Sequence, residues 1–321
     1  MVGAIASALR TQAEDLKMDV YKTKVGQTTR TKITVTNFER DTLKEAPYYQ
    51  AGKPGKGSLH FAVCPACENP IQILGLYKKL AHTPDPYAKH YSKSVTYLAE
   101  YDHESYEFCP YSNPDRNPDR DGRRTPGSKI AISILNLLIN HFDQVIYMIE
   151  ESTGIKIGNA FAERMLNSYR DHQGHLYKAA TLLNIPWIFA YMANAKSITR
   201  QRVHNNPALL KALREHLPEA QIDAEGGQKG VLRPKNDKDF LNINVSYIHH
   251  TITSTDNVIT ETMKMVVFTQ RKKVNVELYE QVITFDPEHF LALINVSEDR
   301  AYRPRKKELV AMAQKILGGK P

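Results

Sequence analysis

Apolar and polar positions change their period twice along the chain. Residues 3–18 predict a helix, with Ile5, Leu9 and Leu16 near one face. From Lys22 to Phe38 the pattern alternates: Thr31, Ile33 and Val35 share one side, and Lys32, Thr34 and Thr36 the other, which predicts a strand. Phe61 to Val63 then predicts a strand, and Ile71, Ile73, Leu74 and Leu76 a short returning one, with a turn at Pro70 between them. From Ser128 the period becomes helical. Ile134 or Leu135, Leu138, Phe142, Val145 and Ile149 recur at helical spacing. They predict one helix from an N-cap at Ser128 to near Ser152, roughly 35 Å long at about 1.5 Å per residue. Gly154 is placed to close it.

More helices follow. One covers Asn159–His172 and another His175–Asn184; Pro186 interrupts, a third begins with Trp187, Phe189, Tyr191 and Met192, and a fourth is capped at 205–207 with Leu209, Leu210, Leu213 and Leu217 as its stripe. Then the alternation returns. Phe240–Thr251, Val258–Thr269 and Val274–Phe285 read as three strands of an antiparallel meander. Asp286-Pro287-Glu288 starts a helix, and the last helix runs from Arg305 to Leu317. The fold class is therefore α+β. A β-rich region spans 1–125, a helical bundle spans 126–222, and the meander with two helices spans 223–321.

The chemistry concentrates between His60 and Pro110. All three cysteines fall there. Cys64 and Cys67 have the spacing that lets two thiolates reach one ion at about 2.3 Å. The Pro65 ring presets the turn between them. Cys109, the remaining thiol, is the third ligand. His60, His82, His90 and His103 compete for the fourth place. His90 is preferred because it stands between two tyrosines near Pro86, a rigid and largely apolar frame. His82 is second choice, and the acidic run around His103 favours solvation. The set Cys64, Cys67, His90 and Cys109 would bind Zn2+ with no open position, which makes it structural and not catalytic. The Cys-x-x-Cys hairpin resembles a generic zinc ribbon over about fifty residues, which implies a fold element and no activity. A redox pair normally opens a helix in a βαβ context, and Asn69-Pro70 argues against one. Three cysteines also leave a disulfide with an odd partner.

Catalytic signatures are missing. No glycine-rich cofactor fingerprint or nucleophile–base spacing appears. The loop Gly52-Lys-Pro-Gly-Lys-Gly57 departs from the P-loop pattern. Asp223, Glu225 and Lys229 faintly resemble a metal-nuclease set but lie in a glycine-containing segment, 220–236, read as a flexible connection. His172 and His175 form His-x-x-His with Gly174 between them, and a polar helix end explains them better. With His249 and His250 they are the candidates if the chain is an enzyme.

Charge narrows the remaining classes only slightly. The net charge is +8 and is spread over all three regions. Two clusters stand out: Arg116, Arg120, Arg123 and Arg124 in a loop built on a repeated Asn-Pro-Asp-Arg, and Arg303, Arg305, Lys306 and Lys307 before the last helix. Both suit phosphate. The leading expectation is a zinc-stabilised, mildly basic protein associated with DNA or RNA. The alternatives are a scaffold that docks a protein partner, and a metal-dependent hydrolase acting on nucleic acid. The apolar run Ile130–Ile149 is broken by polar residues, so no membrane span is expected. The N-terminus lacks a leading positive charge, and cytoplasm is the default expectation.

Overall fold

The computed structural model describes residues 18–54, 57–81, 83–112, 116–223, 229–236, 241–255 and 258–319. The expected helix at 3–18 lies outside them except for Met18. So do His82, part of the Asn-Pro-Asp-Arg repeat, Glu225 with the Gly226–Gly227 step, and the turn at 256–257.

Among the described residues a short ladder comes first, with β1 (Val20–Tyr21) antiparallel to β2 (Thr31–Lys32). The expected long strand through Phe38 is not formed. Thr34 accepts a hydrogen bond from Asn37 N at 3.1 Å and starts helix α1 (Val35–Thr42). A capped first turn satisfies a donor that helix ends leave open, and burying Phe38 fully secures the result. Next comes an antiparallel sheet in the order β3 (Tyr49–Ala51), β4 (Ser58–Val63), β5 (Pro70–Leu74), β6 (Tyr87–His90). Helix α2 (His103–Glu107) follows, capped by the Asp102 side chain.

The single long helix expected from Ser128 is two helices. α3 (Lys129–Asn140) and α4 (Phe142–Thr153) meet at 81° around His141. Asp143 in the first turn of α4 explains the elbow. Its carboxylate takes two bonds from the Arg305 guanidinium, both at 2.8 Å, and one from Lys306 N at 2.9 Å. His141 Nδ1 adds a contact to Gln144 Oε1 at 2.7 Å. α5 (Asn159–Asp171) matches expectation, but the helix expected over His175–Asn184 shrinks to a 3-10 turn at Gly174–Leu176. Asn184 Oδ1 takes the Thr181 N–H, and Thr181 Oγ1 takes the Leu183 N–H, so side chains replace helical carbonyls. α6 (Ile185–Met192) is buried on every side.

β7 (Lys196–Ser197) and α7 (Pro207–His216), capped by Asn206, lead to β8 (Ala220–Ile222). β8 pairs with β9 (Leu232–Pro234), so both flanks of the expected flexible segment are ordered as strands. The meander is present as β10 (Ile243–Thr255), β11 (Val258–Arg271) and β12 (Val274–Thr284), in a sheet ordered β12-β11-β10-β7. α8 (Pro287–Asn295) and α9 (Lys307–Leu317) follow. One buried apolar cluster runs through all three regions, from Met18 and Ile71 through Trp187 to Val267 and Leu317. α9 packs against α3, α4 and α5. Among the described residues no single helix is long and apolar enough to cross a membrane.

Candidate metal centre

Four elements deliver four donors to one point. β4 ends at Val63, opposite Pro70 of β5, so Cys64 to Asn69 must reverse the chain in six residues. The reversal is closed by Glu68 N to Cys64 O at 3.1 Å and Cys64 N to Asn69 O at 2.9 Å. Glu68 takes a left-handed φ of 62°. His90, the last residue of β6, stands opposite Ile71 of β5, which carries its ring to the turn. Cys109 follows α2 and donates its N–H to Tyr106 O at 3.1 Å. The Asn69 side chain joins the two halves. Its Oδ1 accepts from Asp102 N at 2.7 Å, at the cap of α2, and its Nδ2 donates to Cys67 Sγ at 3.4 Å.

The ligand atoms of Cys64, Cys67, His90 and Cys109 all lie within 4.8 Å of one another. Cys64 and Cys109 sulfurs are 3.8 Å apart, and Cys67 Sγ is 3.3 Å from His90 Nε2. A tetrahedron with about 2.3 Å bonds has an edge of about 3.8 Å, so the donor set fits a metal ion. All three cysteines are buried and free of disulfides. Burial pulls the His90 ring down, but the sulfurs of Cys64 and Cys67 outweigh it and push it up to about 11. Burial raises the Cys67 thiol, and hydrogen bonds from Cys109, Cys64 and His90 bring it well below its ordinary value. The Cys109 thiol is raised by burial and by the same two cysteines. Packed donors that compete for protons in this way are the ones a cation deprotonates on binding.

The other histidines go elsewhere. His60 packs edge-on against Phe38, Tyr49 and Tyr77. His103 is exposed beside Tyr101. His172 Nδ1–H donates to Ser168 O at 2.7 Å and Nε2 accepts from Asn194, so it acts as a helix-end cap. His175 stays half-buried, and burial lowers it. Asp223 is paired with Arg233. His250, unlike His249, is fully buried and hydrogen-bonded to Tyr177 and Glu261. No spacing in the chain announces that trio, because its members are 73 and 11 residues apart.

A buried ion pair supports the turn. Lys22 Nζ meets Glu68 Oε1 at 2.7 Å, Gly26 N donates to the same oxygen, and Ser133 of α3 reaches Oε2 at 3.5 Å. Its Lys22 partner is 2 % exposed.

The arginine loop turns inward. Arg116 donates to Glu107 O and Phe108 O, Arg120 to Tyr191 O and Arg123 to His172 O. Arg124 is buried, donates to Lys178 O and Ala180 O, and burial lowers it to about 10. Arg305 is paired with Asp143. Arg303, lying over the Tyr147 ring at 4.4 Å, stays exposed, as do the Lys306 and Lys307 side chains. Comparisons with protein-family models, with curated proteins and with solved structures return no match.

Proposed function

We propose that Cys64, Cys67, His90 and Cys109 hold one zinc ion as a structural staple, in a ribbon-like hairpin. The observation that supports this reading is a donor set of three sulfurs and one imidazole gathered within 4.8 Å. Borderline-soft Zn2+ suits those donors, and four protein ligands leave no position for a reacting water. Zinc supplies a fixed tetrahedral node; the chain's own residues supply the orientation, through Asn69 and the turn hydrogen bonds. The experiment is metal analysis of protein produced without added zinc, with melting curves before and after chelation. About one equivalent of zinc, and a lower melting temperature after chelation, is expected. Metal-free protein with an unchanged melt overturns the assignment.

Around that staple we infer a mildly basic, nucleic-acid-associated protein of the cytoplasm. The net charge of +8 and the exposed Arg303, Lys306 and Lys307 support it. The inward arginine loop shifts the expected phosphate contacts to these three. Retention on heparin at low salt, and a salt-dependent shift of labelled DNA or RNA that weakens in R303A/K306A/K307A, are expected. Passage through heparin without retention counts against it. An adaptor role is the second reading, favoured by the outer strand β12, which exposes Val274, Val276 and Val282. A metal-dependent hydrolase has less support, since the Cys3His set is the one metal-compatible group among the described residues.

A further inference from the structure

The C-terminal sheet carries a buried polar chain that the metal centre does not use. The register of β10 against β11 shifts between Ile248 and Thr251. His249 sits there with φ 55°, a left-handed conformation rare outside glycine. A bulge re-aims the side chains around it, and here it sends His250 into the core and leaves His249 outside. His250 Nδ1 is 3.0 Å from the Tyr177 hydroxyl. Its Nε2 is 3.1 Å from Glu261 Oε2, and Asn184 Nδ2 donates to the same oxygen at 2.9 Å. Nε2–H donates to Glu261 Oε2 while Nδ1 accepts from the Tyr177 hydroxyl, so both ring nitrogens are paired.

That chain ends at a cavity of about 550 Å3, in whose wall Glu261 and Phe285 lie. The volume is that of a small-molecule site. Both bonds to the Glu261 carboxylate fall on Oε2 among the described residues. A carboxylate has two oxygens and about four acceptor positions, so Oε1 remains for an occupant. Exposed Asp19 and Asp85 add negative charge at the rim. Among the described residues the one cation in the lining, Arg30, is taken by Glu288 and by the Tyr111 hydroxyl. Rings of Tyr87, Tyr111 and Phe285 supply aromatic surface. Tyr111 lies two residues beyond Cys109, so this wall is joined through the chain to the four-donor cluster.

We propose that this cavity binds a small organic ammonium ion, with Glu261 as its anchoring carboxylate. The described lining sets three carboxylates against one paired guanidinium, a sign that disfavours phosphates and carboxylates. The three carboxylates do not form a metal-compatible group, so a bare divalent ion is not what they are set to chelate. An alkylammonium has both features the site offers partners for: N–H donors for Oε1, and a cation that aromatic faces attract.

The chain carries its own reporter. Trp187 is the sole tryptophan, and it stacks on Phe285 with ring centroids 4.8 Å apart and planes 8° from parallel. Titrating 1,5-diaminopentane into the full chain should change Trp187 emission saturably, and glutarate should not. Glu261→Gln can turn its carbonyl oxygen toward Asn184 and His250 while presenting an N–H to the cavity, so the fold is kept and the ammonium site is lost. Binding should weaken about tenfold or more, the loss of one charge-assisted bond, at an unchanged melting temperature. Should that variant not fold, D19N/D85N at the exposed rim is the second probe, and a few-fold loss is expected. No saturable response in the wild type, equal response to glutarate, or undiminished affinity in whichever variant folds overturns the proposal.

Discussion

The two larger sheets solve one problem by opposite means. The meander strands β10, β11 and β12 have 13, 14 and 11 residues, and each pairs along most of its length with its neighbour. The N-terminal sheet has strands of 3, 6, 5 and 4 residues. These strands are short, although they bury Phe61, Ala62, Val63, Ile71, Ile73 and Ala88. Side chains far apart in the chain add to that burial at one end: four metal-compatible donors, the Lys22–Glu68 pair, and the two hydrogen bonds of the Asn69 side chain. The lesson is that a sheet can be held by point contacts at one end as well as by ladder length, and that the two kinds should fail differently.

The strongest way to break this comparison is to remove the point contacts. Cys109→Ser, or chelation, should cost on the order of 5 kcal/mol or more. Hydrogen exchange should then show amides of β4 to β6 losing protection while those of β10 and β11 keep theirs. Simultaneous loss in both sheets would mean they are not separately secured. Next, Lys22→Met strands a buried carboxylate and should cost about 3–5 kcal/mol in urea unfolding, with K22M/E68L recovering part of it. Equal cost in single and double variants would remove the pair from the account.

Asp143→Asn, at the elbow of α3 and α4, should cost about 2 kcal/mol. Burial pulls this carboxyl upward, but the Arg305 bonds and the Lys306 N–H outweigh it and hold it below the usual range. The stabilisation is therefore present above the unfolded value near about 3.9 and is lost as pH falls through the lower folded value. Acid titration of stability should be shallower below about pH 4 in Asp143→Asn. Smallest of all, Val276→Thr on the exposed β12 should change stability by less than about 0.5 kcal/mol; a larger loss would show that face to be covered.

Much of the site could be read from residue types. Three thiols, one of them 45 positions from the first, and a histidine framed by tyrosines sufficed to name the four donors that lie together. The capped helices were legible for a similar reason, since Asn206-Pro207 and Asp286-Pro287 put the capping chemistry next to the apolar stripe. Legibility failed where a distant partner decides a local conformation. The elbow at His141 depends on Arg305, which lies 162 residues from Asp143. The inward turn of Arg124 depends on carbonyls 54 and 56 residues away. At 31–38 the alternating pattern suggests a strand, and the competing signal is local: the Thr34 hydroxyl, which accepts from the backbone N–H of Asn37 and caps α1.

α9 touches α3, α4 and α5, with Leu309, Ala313 and Leu317 turned toward them. During synthesis, these three helices leave the ribosome more than a hundred residues before the segment that covers them. The flanks that α9 covers must wait exposed until that segment emerges. A nascent chain stalled ahead of Lys307 would therefore be a natural client for chaperones that recognise uncovered helical surface.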